Sequence, residues 1–474
     1  LTWDLLTEAG EGLLTESGDS LVTEEALSAW PGTAGGAYSP YWGGDIKLYV
    51  WAGIFAGSTF LWGDSATDNL DAGNVWGGGL VSPTPPAGRL WVDLTCDVLS
   101  VQTDIGGTRS NGAIAQAEAG TATITLADPL RKYDPTNPNG PYQYGGQTRL
   151  TPGANIIVFA ERWDGTAITQ YRLFTGTVDT WSEAWQLHPG NRRAVVVASD
   201  AVKDLVALDY GEQPAIGAGD TVGQRIERIL AYYAWPGTRT LDTSTNTLQA
   251  TTLAQSAWEL IGRANEDELG FTYLDQSGVL QFRNRAAWST RPAPVLTVGC
   301  APATASYDTM TTASVEAANL NIKNAVYATR TGGVQQVVRS EDSIARYGLH
   351  SYKRTDLGLQ NDSQAGAWAS FLVSIQGTPR AQLDSLVIRP LFDPTVWPAL
   401  LALKLVTDRV RVLWTPPDMS ATTEVVGRAI GISHNVTRNA WDVNLVLAQA
   451  DIYANVMHWG PHPKDKLNVG NVYV

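Results

Sequence analysis

Five histidines are the natural place to look for metal or general-base chemistry in this 474-residue chain: His188, His350, His434, His458 and His462. Only His458 and His462 are close, in HWGPH, and the Gly460-Pro461 step between them breaks the helical i, i+4 geometry with which paired histidines grip zinc. No glutamate stands between them to act as a base. The GxSxG nucleophile elbow, the Walker loop, the dinucleotide fingerprint and a CxxC pair are all missing from the sequence. The glycine turns GGDI and WGGG lack the lysine and the strand-to-helix setting of a phosphate cradle. Carboxylates are plentiful, so a glycosidase pair is not excluded, but nothing singles one out. The sequence therefore nominates no catalytic residue, no metal ligand and no cofactor, and the expectation is a protein that is not an enzyme.

Tryptophan offers a different chemistry. Seven of the eighteen (Trp3, Trp30, Trp42, Trp51, Trp62, Trp76 and Trp91) fall in the first 91 positions. An exposed indole is a large rigid face that stacks on sugar rings or on partner proteins. Trp42 and Trp62 are the candidate sugar or partner contacts, with buried structural tryptophan as the competing reading.

Composition limits the partners. A net charge of −14 leaves no basic footprint for general binding to nucleic acid or to an anionic membrane. The longest apolar runs, 48–57 and 396–406, are far short of the roughly 20 residues that span a bilayer, so no membrane anchor is expected. The N-terminal residues show no basic segment followed by an apolar core, so no secretory signal is expected. Cys96 and Cys300 are too few for a disulfide scaffold, and two buried thiols are expected.

The elements that would carry any site read as mainly β, with a smaller α+β insert. Charged residues are only 17% of the chain, with 46 glycines and 24 prolines to make turns. Residues 1–25 form an arm built on a period of eight, LLTEAGEG, LLTESGDS, LVTE, in which Leu5, Leu6, Leu13, Leu14, Leu21 and Val22 recur. That period fits short strands and turns, not a coiled coil, and suits an arm that packs on a neighbour or a local meander. Residues 26–88 are the Trp/Gly-rich region with its proline-rich linker, and 89–205 a first β region in which TATITL alternates as a half-buried strand does.

Within the insert, 206–300, Thr221 and Gln224 have capping-box spacing ahead of a helical face of Val222, Ile226, Ile229, Leu230 and Tyr233. A second helix over 253–266 leads into a hairpin, FTYLD–QSG–VLQFRNR. A connecting β/α region follows at 301–380, with a strand at 321–327 and a helix at 363–374. A second β region, 381–451, opens with a strand at 384–389, and the tail is 452–474.

The two β regions repeat one another. NIIVFA, LFTGTV and RRAVVVASDA in 155–201 are followed in the same order by VRVLW, VVGRAIGI and VNLVLAQAD in 410–451. The alignment sets Gly176 against Gly427, Val178 against Ile430, and Val195–Val197 against Val443–Leu447.

The segment EAGTATITLADPLRKYDPTNPNGPY (118–142), followed by LFTGTV (173–178), resembles the first domain of phage tail hub proteins. The helix ending AYYAWP, the AWELIGRANEDELGFTYLDQSGVLQFRNR segment and the closing VVGRAIGISHNVTRNAWDVNLVLAQAD agree with it, and the octad arm resembles the leader of many minor tail proteins. The resemblance covers about 89–451. It implies two tail-tube-like β-barrel domains per chain, 89–205 and 381–451, in a homotrimer at the tail tip or baseplate. Six barrels would join a sixfold tube and distal ring to a threefold tip. The implied partners are the distal tail ring, tail tube and tape-measure proteins and tail fibre or tip proteins, with viral DNA passing through the lumen without specific binding. The implied location is the virion, after synthesis in the host cytoplasm. Ending soon after the second barrel, the chain would leave host recognition and wall digestion to other tail proteins. The alternative is a carbohydrate-binding tail or lectin-like β protein using the Trp-rich region.

Overall fold

The computed structural model of the chain describes residues 46–55 and 89–454, apart from 109–115, 145–146, 165, 185–191, 210, 212, 245, 301–309, 318–321, 379–380, 415–422 and 438. The octad arm, Trp42, Trp62 and HWGPH lie outside the described residues.

The first half is built from β1 (Ile46–Phe55), β2 (Arg89–Asp93), β3 (Val98–Thr108), β4 (Thr121–Ala127), β5 (Asn155–Trp163), β6 (Ile168–Ala184) and β7 (Arg193–Ser199). Period-two patterning makes them strands: in β4 Ala122, Ile124 and Leu126 are buried while Thr121 and Thr123 face solvent. β1 lies in the Trp-rich region, yet it pairs with β5 over Ile46–Gly53 and with β2 over Trp51–Phe55. Trp51 and Trp91 are buried there with Ile157 and Phe159; Trp51 meets the Phe159 ring edge-on at 5.0 Å. These two indoles are core residues.

The middle of the chain supplies helices α1 (Val222–Tyr232) and α2 (Ala257–Glu268) and the hairpin β8 (Phe271–Leu274) and β9 (Leu280–Arg283). After β10 (Leu296–Cys300) and β11 (Met310–Ala317) come β12 (Ala325–Arg330), β13 (Gln336–Arg339), β14 (Ser351–Leu357) and helix α3 (Asp362–Gln376). The capping box of α1 closes in both directions: the Thr221 hydroxyl accepts from Gln224 N–H, and Gln224 Oε1 accepts from Thr221 N–H at 2.9 Å. All five residues of its anticipated face are buried. α2 starts at Ala257, four residues later than expected, because Leu253 ends a short strand, Thr251–Leu253, and Ser256 caps the helix instead. α1, α2, β9, β12 and α3 enclose one core that includes Ile226, Leu230, Leu260, Phe282, Val326 and Trp368.

The last stretch is β15 (Ala381–Ile388), β16 (Arg409–Trp414), β17 (Thr423–Thr437) and β18 (Ala440–Ala454). Two separate barrels are not what these strands make. Among the described residues they join the first half in one 14-stranded sheet with the order β11-β15-β18-β17-β3-β4-β7-β6-β5-β1-β2; β16 lies beside β17, β10 pairs with β16, and a two-residue strand, Gln116–Ala117, pairs with the end of β3. No sheet of the described residues closes on itself. In the first half the edges that would have to meet are taken, β3 by β17 and β5 by β1, and in the second the outer edge of β16 is taken by β10.

Cys96 departs from expectation too. It sits on a single 3-10 turn, Thr95–Asp97, in which only Thr95 is buried, and Cys96 itself is exposed.

Candidate assembly interface

The strand register turns the sequence repeat into a structural one. In the first half, the five strands β3, β4, β5, β6 and β7 lie in the spatial order β5-β6-β7-β4-β3, every neighbour antiparallel. In the second, β11, β15, β16, β17 and β18 lie as β16-β17-β18-β15-β11, again antiparallel throughout. Both units therefore follow third-fourth-fifth-second-first. Two of their irregularities coincide as well. The first strand of each bulges one residue from its start, between Val98 and Ser100 and between Met310 and Thr312. The fourth strand of each bulges at Asp179 and at Ile430. A bulge re-aims a strand at one chosen place, and two matched bulges in one topology are hard to obtain without common construction.

These registers also correct the alignment by one position. Gly176 does match Gly427, but Val178 matches Ala429, not Ile430, and Val195–Val197 match Asn444–Val446.

The two units meet where β17 pairs β3. On one edge β17 carries β18 along its length; the other edge is divided, with β16 on Thr423–Arg428 and β3 on Gly431–Thr437. Facing glycines, Gly106 and Gly431, start that ladder. A methyl group on Gly106 would stand 2.4 Å from the Ile430 carbonyl oxygen, and its φ of +101° is one that side chains rarely adopt. Two pairs on, the Ser433 hydroxyl donates to Asp104 Oδ1 at 3.0 Å.

Next along β17, His434 is fully buried and receives a hydrogen bond from Trp441 Nε1 on its Nδ1, 3.2 Å away. The acceptor nitrogen is unprotonated, so the ring is neutral, and burial pushes its pKa down to about 4. The only histidine in this seam is thus a packing residue. Sequence reading missed the seam because its partners are more than 300 positions apart; the repeat was the one signal that pointed to it.

The 128–142 loop of the resemblance is held by its own carboxylates. Asp128 accepts from Lys132 and Tyr133 N–H at 2.7 and 2.8 Å, Tyr133 donates its hydroxyl to Asp97 at 2.5 Å, and Asn137 donates to the Arg131 carbonyl at 2.8 Å. Burial, then the neighbouring Asp134, raises Glu183 to about 7. Burial also opposes ionisation of Asp134, but hydrogen bonds from Thr136 and Arg131 outweigh it and hold that carboxyl at about 2. A split of this kind can mark a general acid and base. Here both carboxylates are buried beneath Arg131, which bonds Asp134 and lies 3.9 Å from Glu183, so they fasten the loop to β6. The loop displays Leu130, 81% exposed, at its tip. Among the described residues no cluster of histidine, cysteine and acidic side chains is placed to hold a metal ion.

No protein-family model matches the chain, and no curated protein matches it. Solved structures do overlap with it. A tail protein from Neisseria meningitidis is 14% identical with a TM-score of 0.48, over 74% of this chain and 95% of its own. A prophage MuSo2 43 kDa tail protein from Shewanella oneidensis is 12% identical, TM-score 0.45, over 74% and 98%. A prophage tail protein from Listeria monocytogenes is 13% identical, TM-score 0.43, over 76% and 91%. With each TM-score below 0.5, these overlaps carry no weight for what this chain does.

Proposed function

We propose that the chain is a structural protein of a phage tail, a hub at the distal tip that works by assembly and catalyses nothing. The observation that carries this reading is the repeated five-strand unit with its matched bulges. One chain that presents the same unit twice lets a ring of three imitate a ring of six, and a sixfold tube can then rest on a threefold tip. The 118–142 and 173–178 segments, by which the sequence resembles hub proteins, support the same reading. The partners are then the distal ring, tube and tape-measure proteins above and fibre or tip proteins below. Viral DNA passes the ring without specific binding, for which a net charge of −14 is suited.

Two measurements test it. Light scattering on the purified chain is expected to give three times the chain mass, alone or once tail partners are added. Gold-labelled antibody on intact virions is expected to mark the tail tip. A chain that stays monomeric beside its tail partners, or a label on the capsid or along the tube, overturns the proposal.

A further inference from the structure

The three-stranded sheet β13-β12-β14 guards one of its edges and leaves the other bare. Residues 322–378, which hold both edges, are described without a break. Ala325 N–H donates to the His350 carbonyl at 3.2 Å, so β14 bonds to β12 at every second residue from there, and the backbone groups of Ser351, Lys353 and Thr355 face outward. Lys353 and Asp356 are exposed on that edge, and charge of this kind keeps a further strand off. On β13, Ser340 N–H donates to the Asn324 carbonyl at 2.9 Å, which makes Val338 and Gln336 the bonded partners of Val326 and Ala328. The N–H and C=O of Val337 and Arg339 therefore point away from β12, and among the described residues nothing bonds to them. Up to Arg339 this edge carries no charge: it reads VQQVV from Val334, with Val334 67% and Val337 50% exposed. An exposed apolar edge with unpaired backbone groups is a template for one more strand.

Its surroundings select the strand. Residues 322–360 carry six Lys and Arg against three Asp and Glu, in a chain with 33 against 47. Val337 and Arg339, two positions apart, lie on the face turned away from α3, where Val337 stands beside Tyr327 and Tyr327 beside Lys353. A fitting strand is short and shows on that face an apolar residue and, two positions on, an acid. The octad arm holds three such segments, LLTE at 5–8 and 13–16 and LVTE at 21–24, and residues 1–25 contain seven acidic side chains and no basic one.

We infer that the octad arm docks on β13, one of these four-residue segments adding as a parallel strand along Gln336–Arg339. In that direction Leu6, Leu14 or Val22 lies beside Val337, and Glu8, Glu16 or Glu24 beside Arg339. Reversed, a leucine would lie beside Arg339 and the glutamate beside Gln336. With the first segment in place, Val337 N–H donates to the Leu5 carbonyl and the Val337 carbonyl accepts from Thr7 N–H. Exposed ion pairs contribute little, so the main-chain bonds hold the arm and the glutamate sets its direction. The docking requires neither a copy number nor a tail, and its failure leaves the hub reading standing.

Amide exchange on the full-length chain tests it, followed by mass spectrometry on overlapping fragments across 334–340. Val337 and Arg339 should exchange slowly in the parent although they lie on an outer edge. Thr7→Pro/Thr15→Pro/Thr23→Pro removes the amide that each segment presents to the Val337 carbonyl, and exchange at Val337 and Arg339 should then rise about tenfold. Thr7→Ala/Thr15→Ala/Thr23→Ala keeps those amides and should match the parent. Equal rates in the parent and the proline chain overturn the docking, whether fast, which means an empty edge, or slow, which means another occupant. A rise with alanine as large as with proline overturns the strand pairing.

Val337→Pro approaches from the other side, since it deletes an outward N–H and no bond to β12, as edge strands tolerate. Cleavage after Glu8, Glu16 and Glu24 by a glutamate-specific protease should be slow in the parent and about tenfold faster in this variant. If the variant unfolds, the arm variants, which leave β13 untouched, decide alone. Arg339→Glu should likewise free the arm, and adding Glu8→Arg/Glu16→Arg/Glu24→Arg should restore its protection; no restoration overturns the parallel direction.

Discussion

His434 shows how a residue that promises chemistry becomes a stability determinant. Its folded pKa, pushed by burial to about 4, lies below the ordinary value of 6.5, so the unfolded chain takes up the proton first as pH falls. The full contribution is therefore present above pH 6.5 and is lost between 6.5 and about 4. We expect His434→Gln, which keeps an acceptor for Trp441 Nε1, to remove this acid sensitivity and to gain about 2 kcal/mol on the parent between pH 7 and pH 5. Urea titrations at the two pH values measure it; an equal gap at both would mean that the imidazole does not titrate on unfolding. What was readable at this level was local. Thr221 and Gln224 found each other from spacing alone, whereas Ser433 and Asp104, 329 positions apart, needed the register before either stood out.

Strands and helices were legible where one periodicity ruled them. β4, α1 and the β8–β9 hairpin follow from alternation, a capped 3.6-residue stripe and a turn signal. β1 was not, because its apolar run sits among glycines and tryptophans and becomes a strand only through β2 and β5. The β3–β17 ladder escaped for a related reason, since a glycine in a strand looks like a weakness until the opposing backbone is known. Its importance can be measured. Gly106→Ala adds a methyl group to a left-handed backbone against Ile430 and should cost about 2 kcal/mol. Gly332→Ala, with φ +72° and nothing within 4 Å of the added carbon, should cost about 1 kcal/mol, the backbone preference alone. Equal losses from the two in thermal melts would show that the seam is not tightly packed.

For the chain overall, the repeat was visible in sequence but its consequence was not. Two copies of a pattern suggested two closed bodies, and the strands joined them edge to edge instead, because whether a β unit closes on itself or on a neighbour depends on which edges lie within reach. Sequence similarity between the units fixes their shape and is silent on that choice. β17 makes the choice durable, since it belongs to its own unit along one edge and to both units along the other. A tear started in either half must then run through β17 before it can stop, and the boundary between the units is no place for a crack to arrest. Pulled apart by handles on β5 and β18, the described sheet should give way in one event; two well-separated ruptures would show that the halves bear load independently.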